Sequence, residues 1–123
     1  MIPPIFPICA ASPAVTAVLG TGPVRVFPFN DAPQGVQRPY VVWQTISAVP
    51  ENNLDDAAEI DKVSIQIDVY SESSDECASI AKILRGVLET QGYVTSYRNF
   101  GEEVDTRLYR YMIEMDWFVE NQE

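Results

Sequence analysis

Apolar and polar residues alternate without a break in the segment Lys62-Val-Ser-Ile-Gln-Ile-Asp-Val-Tyr-Ser71. Successive side chains of a β-strand point to opposite faces of the sheet, so this pattern predicts a strand with one buried face. The core face is formed by Val63, Ile65, Ile67 and Val69. The other face carries Lys62, Ser64, Gln66, Asp68 and Tyr70.

A helix is predicted directly after this strand. Ser73 stands three residues before Glu76, which is the spacing of a capping box at a helix N-terminus. Apolar residues then recur at helical spacing until Gly92, near which the helix is expected to end. These residues are Cys77, Ile80, Ala81, Leu84 and Leu88.

The N-terminal part predicts two short helices. Prolines at positions 3, 4 and 7 allow only a short or irregular first helix, because an interior proline removes a backbone donor. Ser12-Pro13 is typical of an N-cap followed by a first-turn proline, and Gly20 is a natural stop for the second helix.

Further strands are predicted on both sides of the central segment. Their ranges are 24–27, 40–49, 93–100 and 106–119, with a loop at 30–39 and a turn at 99–103. The acidic segment Glu51–Asp61 is interpreted as an extended loop or the tip of a long hairpin. The order predicts a single α+β domain over residues 1–123, with a mostly antiparallel sheet of about five strands. An N-terminal helical segment and one main helix would pack on one face.

The last strand has an unusual second face, which mixes charged and large apolar side chains. Leu108, Met112 and Phe118 share it with Glu114 and Asp116. A monomer does not favour such a surface, whereas a subunit interface accepts it. The three apolar residues are therefore predicted to lie in a contact between subunits.

Charge and composition exclude several classes of function. Residues 1–50 contain Arg25, Arg38 and Asp31 and have a net charge of +1. The whole chain has a net charge of −10, so residues 51–123 have a net charge of −11. Ordinary nucleic-acid binding needs a basic face, which this chain lacks. The chain has no histidine, no glycine-rich phosphate loop and no calcium-loop spacing. We therefore expect no enzymatic activity, metal or cofactor, and we interpret most of the paired carboxylates as solvated surface.

The two cysteines, Cys9 and Cys77, are too few for a metal cluster. Free thiols in the core are the favoured interpretation, and a disulfide between them stays open. The sequence predicts neither a membrane helix nor a secretion signal, which indicates a protein made in the cytoplasm.

Four blocks carry a resemblance to a known family. They are Ala32-Pro-Gln-Gly-Val-Gln-Arg-Pro-Tyr-Val-Val-Trp-Gln-Thr-Ile-Ser47, Pro50-Glu-Asn-Asn-Leu54, the strand 63–70, and Leu108-Tyr-Arg-Tyr111. Together they resemble the small tail completion, or tail terminator, proteins of long-tailed bacteriophages and prophages. The resemblance covers nearly the whole chain.

The resemblance implies a structural protein of the virion, located in the tail at its neck-proximal end and assembled in the host cytoplasm. Its subunits would form a ring, expected to be a hexamer, that caps the tail tube and later docks onto the neck. The implied partners are other copies of the chain, the major tail tube protein and a head completion or neck protein. Loops would make these contacts, and their candidate residues are Asp31, Gln34, Arg38, Glu51, Asn52, Asn53, Asp55, Asp56, Glu102 and Glu103.

DNA would pass through such a ring without specific binding. Asp68, Glu114 and Asp116 share the polar side of their strands and are predicted as channel-facing carboxylates that repel the duplex. Simple solvation of these groups is the alternative. Two other functions stay open: a related head-closure or neck connector protein, and an acidic decoy that imitates nucleic acid.

Overall fold

The computed structural model describes residues 3–51 and 60–120. In chain order the elements are α1 (Ile5–Ala11), α2 (Pro13–Leu19), β1 (Val26–Pro28), β2 (Tyr40–Glu51), β3 (Ile60–Ser71), α3 (Ser74–Leu88), β4 (Tyr93–Glu102) and β5 (Tyr109–Glu120). Among the described residues, no helix has the length and apolar character needed to cross a membrane.

The five strands form one mixed sheet in the order β1-β2-β3-β5-β4. β1 runs parallel to β2, and all other neighbours are antiparallel. The predicted α+β class with a mostly antiparallel sheet, short N-terminal helices and one main helix is therefore confirmed.

The core lies between the helices and one face of the sheet. Alternation in β3 is confirmed, since its predicted core residues, Val63, Ile65, Ile67 and Val69, are at most 2% exposed. β5 contributes Ile113, Met115 and Trp117 to the same face, where α3 packs on both strands. The opposite face of the sheet therefore carries no helix of the described residues.

Local signals in the sequence set the helix ends. Ser12 caps α2 by accepting a hydrogen bond from the backbone N–H of Val15, and Gly20 ends that helix with a φ of 82°. The Ser73 side chain accepts from the Glu76 N–H, which confirms the predicted start of α3. The reciprocal bond of a capping box is replaced, because Ser71 Oγ donates to the Glu76 carboxylate and accepts from the Ser73 N–H. α3 ends at Leu88, earlier than the expected end near Gly92.

The predicted turn at 99–103 is wrong, because β4 continues to Glu102. Gly101 has a φ of 76° and lies at a register shift in the pairing of β4 with β5. Its N–H donates to the Asn99 side chain at 2.9 Å, so the turn-like residues form a bulge within the strand. The chain reverses later, at 104–106.

The acidic segment between β2 and β3 connects two paired strands. Glu51 is opposite Ile60 in the antiparallel pairing, which agrees with the hairpin interpretation. The candidate contact residues Asn52, Asn53, Asp55 and Asp56 lie outside the described residues.

Both cysteines are free and buried. Burial raises the pKa of the Cys9 thiol and of the Cys77 thiol to about 11. Cys77 Sγ also donates to the Val69 carbonyl at 3.2 Å. The interpretation of both residues as parts of the core is therefore confirmed, and the disulfide alternative is wrong.

Candidate functional site

The face of the sheet opposite the helices is called the open face below. The three candidate channel residues Asp68, Glu114 and Asp116 lie on it together, because β3 and β5 pair in a register that places Gln66 opposite Glu114 and Ser64 opposite Asp116. The pairing thus brings these carboxylates to one face, as the alternation predicts. Each of the three carboxylates accepts hydrogen bonds from neighbouring side chains, unlike a free surface charge.

Asp68 is only 5% exposed, so the expectation that it is an exposed charge is wrong. Arg110 Nε donates to its Oδ1 atom at 2.9 Å, and Gln66 Nε2 donates to its Oδ2 atom at 2.9 Å. A buried carboxylate requires such partners, because desolvation otherwise penalises the charge. Asp68 is thus a structural residue of the open face and presents no free charge.

Glu114 and Asp116 are half-buried, and each is bound by a serine of a neighbouring strand. Ser96 Oγ donates to Glu114 Oε1 at 2.8 Å, and Ser64 Oγ donates to Asp116 Oδ1 at 2.7 Å. These bonds orient the two carboxylates across β3, β5 and β4. Both groups still reach solvent and can act on a passing charge.

Arg110 joins several side chains at the end of the open face. Besides binding Asp68, its guanidinium lies 4.5 Å from the centre of the Phe100 ring and 4.0 Å from Glu103 Oε2. Arg98 contacts the same ring at 4.7 Å. Burial alone lowers the pKa of Arg110, but its hydrogen bond to Asp68 and the nearby charges raise it, with a net upward shift.

Two stacked tyrosines lie next to the Asp68–Arg110 pair on the open face. The rings of Tyr40 and Tyr70 are stacked with centres 5.1 Å apart. Burial, followed by the negative charge of Asp68, raises the pKa of Tyr70 to about 12. Tyr70 lies opposite Arg110 in the pairing of β3 with β5, and its phenol stays neutral near pH 7.

The outer strand β4 leaves large aromatic side chains uncovered. Tyr93 is 61% exposed, Tyr97 57% and Phe100 40%, while Phe118 on the adjacent β5 is 48% exposed. Tyr93 and Phe118 contact each other edge to face, with ring centres 5.9 Å apart. We call Tyr93, Tyr97, Phe100 and Phe118 the β4 edge.

The three residues predicted to lie in a subunit interface differ in their exposure. Phe118 is exposed and Met112 is half-buried, but Leu108 is 4% exposed, so its expected exposure is wrong. Leu108 precedes the strand and lies at the base of the β4–β5 turn, where its carbonyl accepts the Glu103 N–H at 2.8 Å. The alternation of β5 therefore does not extend to it.

The exposure of Tyr93, Tyr97 and Phe100 was not predicted from the sequence. The weak alternation in 93–100 indicates only a strand. The signal that could find them is the presence of aromatic residues on both faces of one strand, which is typical of an edge that a partner covers.

The candidate loops lie at two opposite ends of the sheet. Asp31, Gln34 and Arg38 belong to the exposed loop before Tyr40, while Glu102 and Glu103 lie where β4 ends. Tyr40 pairs with Tyr70, and Glu102 pairs with Tyr109, so these loops share one end. Glu51 lies at the other end, roughly 35 Å away along a strand of this length.

Nothing in the site resembles a metal centre. In the described parts of the chain, 3–51 and 60–120, no three metal-ligating side chains of His, Cys, Asp or Glu come together.

Comparisons with known proteins show a family and a likeness to solved structures. The family model described as "Tail completion protein gp17" matches residues 3–120. A chain of a solved structure titled "Virion of native gene transfer agent (GTA) particle" is similar in fold. It has a TM-score of 0.63 and 14% sequence identity, covering 95% of this chain and 92% of that one. No curated protein matches the chain.

Proposed function

Because the chain belongs to the Tail completion protein gp17 family of phage-type structural proteins, we propose that its subunits form a ring at the head-proximal end of the tail tube. The ring stops tube polymerisation and then joins the tail to the neck. A hexamer is the proposed stoichiometry, and residues 1–123 are proposed to form one domain. Family membership also confirms that the chain is a structural protein and not an enzyme.

The β4 edge is the observation that carries the ring proposal. Tyr93, Phe100 and Phe118 are 40% to 61% exposed on the open face, and Tyr97 is 57% exposed on the opposite face, beside α3. Apolar patches of this kind mark protein interfaces, and aromatic residues are enriched in them. β4 also has two register shifts against β5, which disfavour the addition of another strand. Side chains, more than backbone pairing, would therefore make the contact.

Two ends of one sheet suit a protein that joins two structures. The end with the loop 29–39 and the β4–β5 turn is separate from the end at Glu51. We propose that one end binds the tail tube protein and the other binds the head completion or neck protein. The candidate contact residues for these two partners are Asp31, Gln34, Arg38 and Glu51, and Glu102 and Glu103 are candidates for the contact between subunits.

Tail assembly tests the ring proposal. Particles made without this chain should have tubes of variable, excessive length and few joined heads. The purified protein should form rings at high concentration or on tail tubes, visible by light scattering and electron microscopy. A protein that remains monomeric beside tubes and is absent from purified tails would refute the proposal.

A double variant tests the role of the β4 edge. Tyr93→Ser with Phe118→Ser should weaken ring formation and leave the fold intact, because both side chains are about half exposed. Ile46→Ser is a matched control, since Ile46 is 50% exposed but lies on β2, away from β4. Equal ring formation by all three proteins would remove the β4 edge from the interface.

We further propose that Glu114 and Asp116 face the DNA channel. A duplex carries about one negative charge per 1.7 Å, so carboxylates there would repel it and prevent sticking. Changing both residues to lysine should slow DNA ejection at low salt and leave tails complete. Glu72→Lys with Asp75→Lys is the control of equal charge at exposed positions outside the proposed contacts. Equal ejection kinetics for the two variants would leave Glu114 and Asp116 as solvated surface.

The alternatives differ in their support. A head-closure or neck connector would use the same fold with another partner, and a pull-down against tube and connector proteins separates the two roles. The acidic decoy needs free carboxylates spaced like phosphates. On the open face Asp68 is buried, whereas Glu114 and Asp116 reach solvent. A decoy would act as a monomer or dimer, so the size of the protein in solution separates it from a ring.

A further inference from the structure

The β4–β5 turn presents one apolar side chain to solvent. Val104 is 86% exposed, more than any other large apolar residue among those described. Carboxylates surround it in sequence, because Glu102 and Glu103 precede it and Asp105 follows it. Residues 102–107 are called the tip below.

The tip is held in one conformation by its own hydrogen bonds. The Arg107 N–H donates to the Glu103 carbonyl at 2.9 Å, and Thr106 Oγ1 donates to the Glu103 carboxylate at 3.2 Å. Arg107, at a φ of 62°, also lies 3.5 Å from the Glu102 carboxylate. A loop that is ordered before binding loses less entropy when it binds. The tip is therefore a preformed apolar knob with acidic flanks.

A groove of about 340 Å³ lies between α3 and the sheet. Small residues of α3 and two tyrosines give it apolar walls, and two cations stand beside them. Its lining includes Ala78, Ala81, Lys82, Arg85, Tyr97 and Tyr111. The two tyrosine rings are stacked with centres 6.3 Å apart, and Arg85 lies over Tyr97 at 5.1 Å.

The groove and the tip are opposite in charge. Lys82 and Arg85 stand on the α3 wall of the groove, and the tip carries three carboxylates with the single cation of Arg107. Glu89 neutralises part of the Arg85 charge at 3.0 Å, but Lys82 is exposed. In a chain with a net charge of −10, this pairing of a basic rim with an acidic segment is specific.

The tip cannot fill the groove of its own chain. Tyr97 and the end of β4 at Glu102 are five residues apart on one strand, or roughly 17 Å. The tip extends beyond that end, and the exposure of Val104 shows that its side chain contacts almost nothing of its own subunit. A tip that fills the groove must therefore belong to another molecule.

We propose that the tip of one subunit docks into the groove of the next copy of this chain. This inference rests on the proposed ring and names its contact. Such a contact joins two different surfaces, so it is head-to-tail and generates a ring when the rotation closes. Burial of Val104 strengthens each contact by about tenfold to a hundredfold.

A disulfide experiment tests the contact. The variant Val104→Cys with Ala78→Cys places one thiol on the tip and one on the groove. Mild oxidation of concentrated protein, or of protein on tail tubes, should give a ladder of crosslinked species that ends at the ring number. Each single variant is a control and should give no ladder, because Cys9 and Cys77 are buried.

Each other outcome has a defined meaning. Rings in the microscope without a ladder in the double variant would overturn the tip–groove contact and leave the ring proposal standing. A crosslink that joins the introduced thiol of the tip to the tube protein would also overturn it. Crosslinks that stop at dimers would overturn the head-to-tail contact, because a single disulfide between two exposed tip thiols also gives a dimer. No assembly on tubes would remove the proposed function itself.

A charge variant gives an independent measurement. Val104→Asp should reduce subunit association tenfold or more in sedimentation experiments and leave the thermal unfolding temperature unchanged, because Val104 is exposed. Val49→Asp is the matched control at an apolar residue that is 47% exposed on β2. Equal association of Val104→Asp and the parent protein would overturn the proposal.

Discussion

Replacing Arg110 with Met tests how much the Asp68–Arg110 ion pair of the open face contributes to stability. The substitution keeps most of the apolar stem but removes the guanidinium that donates to Asp68 at 2.9 Å. The Asp68 side chain is 8% exposed, so it would keep Gln66 as its remaining donor in a poorly solvated position. We expect a loss of stability dominated by this stranded carboxylate.

The magnitude follows from the environment of each partner. A hydrogen bond to a charged group contributes about 1.5–3 kcal/mol, and the contact of the guanidinium with Phe100 adds about 0.5–1 kcal/mol. Breaking a fully buried ion pair costs about 3–5 kcal/mol, but the Arg110 side chain is 24% exposed and water reaches it. We expect Arg110→Met to lower the free energy of unfolding by about 3 kcal/mol.

Asp68→Asn should cost less, about 1–2 kcal/mol, because the freed guanidinium is partly solvated and has Glu103 at 4.0 Å. In the double variant neither charge is stranded, so its loss should stay near that of Arg110→Met alone. Urea denaturation of the parent, both single variants and the double variant measures the coupling directly. Arg98→Met is the control, since Arg98 contacts the same Phe100 ring from an exposed position. Losses that add within about 0.5 kcal/mol would refute the reasoning.

Three further predictions concern other parts of the chain. Ser73→Ala should lower the free energy of unfolding by about 1 kcal/mol because α3 loses its cap. Ser79→Ala, on the exposed side of the same helix, should have little effect in the same urea experiment, and equal losses would contradict the assignment. Because the folded pKa of the Cys9 thiol is about 11 against 9.0 in the unfolded chain, its stabilisation is complete below pH 9. It should be lost between pH 9 and 11, by up to about 2 kcal/mol. The Cys77 thiol has the same raised pKa, so the Cys9 contribution is the difference between the losses of the parent and of Cys9→Ala, measured by urea denaturation at pH 8 and 10.5. Equal losses in the two proteins would contradict its cause. Replacing residues 52–59 with a short Gly-Ser turn should change stability by no more than about 1–2 kcal/mol while tails fail to join heads, and normal virion yield would make the segment a connector only.

The fold was largely predictable because its signals are local. The alternation of Lys62–Ser71 and the caps at Ser12 and Ser73 depend on residues within a few positions of each other. The extent of β4 was not predictable in this way. Gly101 signals a turn and a bulge equally well, and the pairing with Arg110 that decides between them comes from a later segment.

The candidate site was only partly predictable. Strand periodicity correctly placed Asp68, Glu114 and Asp116 on one face. The burial of Asp68 depends on Arg110, which is 42 positions away in the sequence. A local sequence pattern does not show that two such distant residues form a pair. Leu108 was misplaced for a related reason, since the alternation of β5 was extended past the point where the strand begins.

The order of strands in the sheet also constrains when a subunit can become complete. β5 is the last strand in the chain, yet it lies between β3 and β4. During synthesis β4 therefore emerges before the neighbour that attaches it to the sheet, and the aromatic side chains of the β4 edge have no fixed position until then. Under the proposed tip–groove contact, a subunit truncated within β5 would lack both a fixed tip and a correctly placed groove wall, so we expect only chains with a complete β5 to assemble.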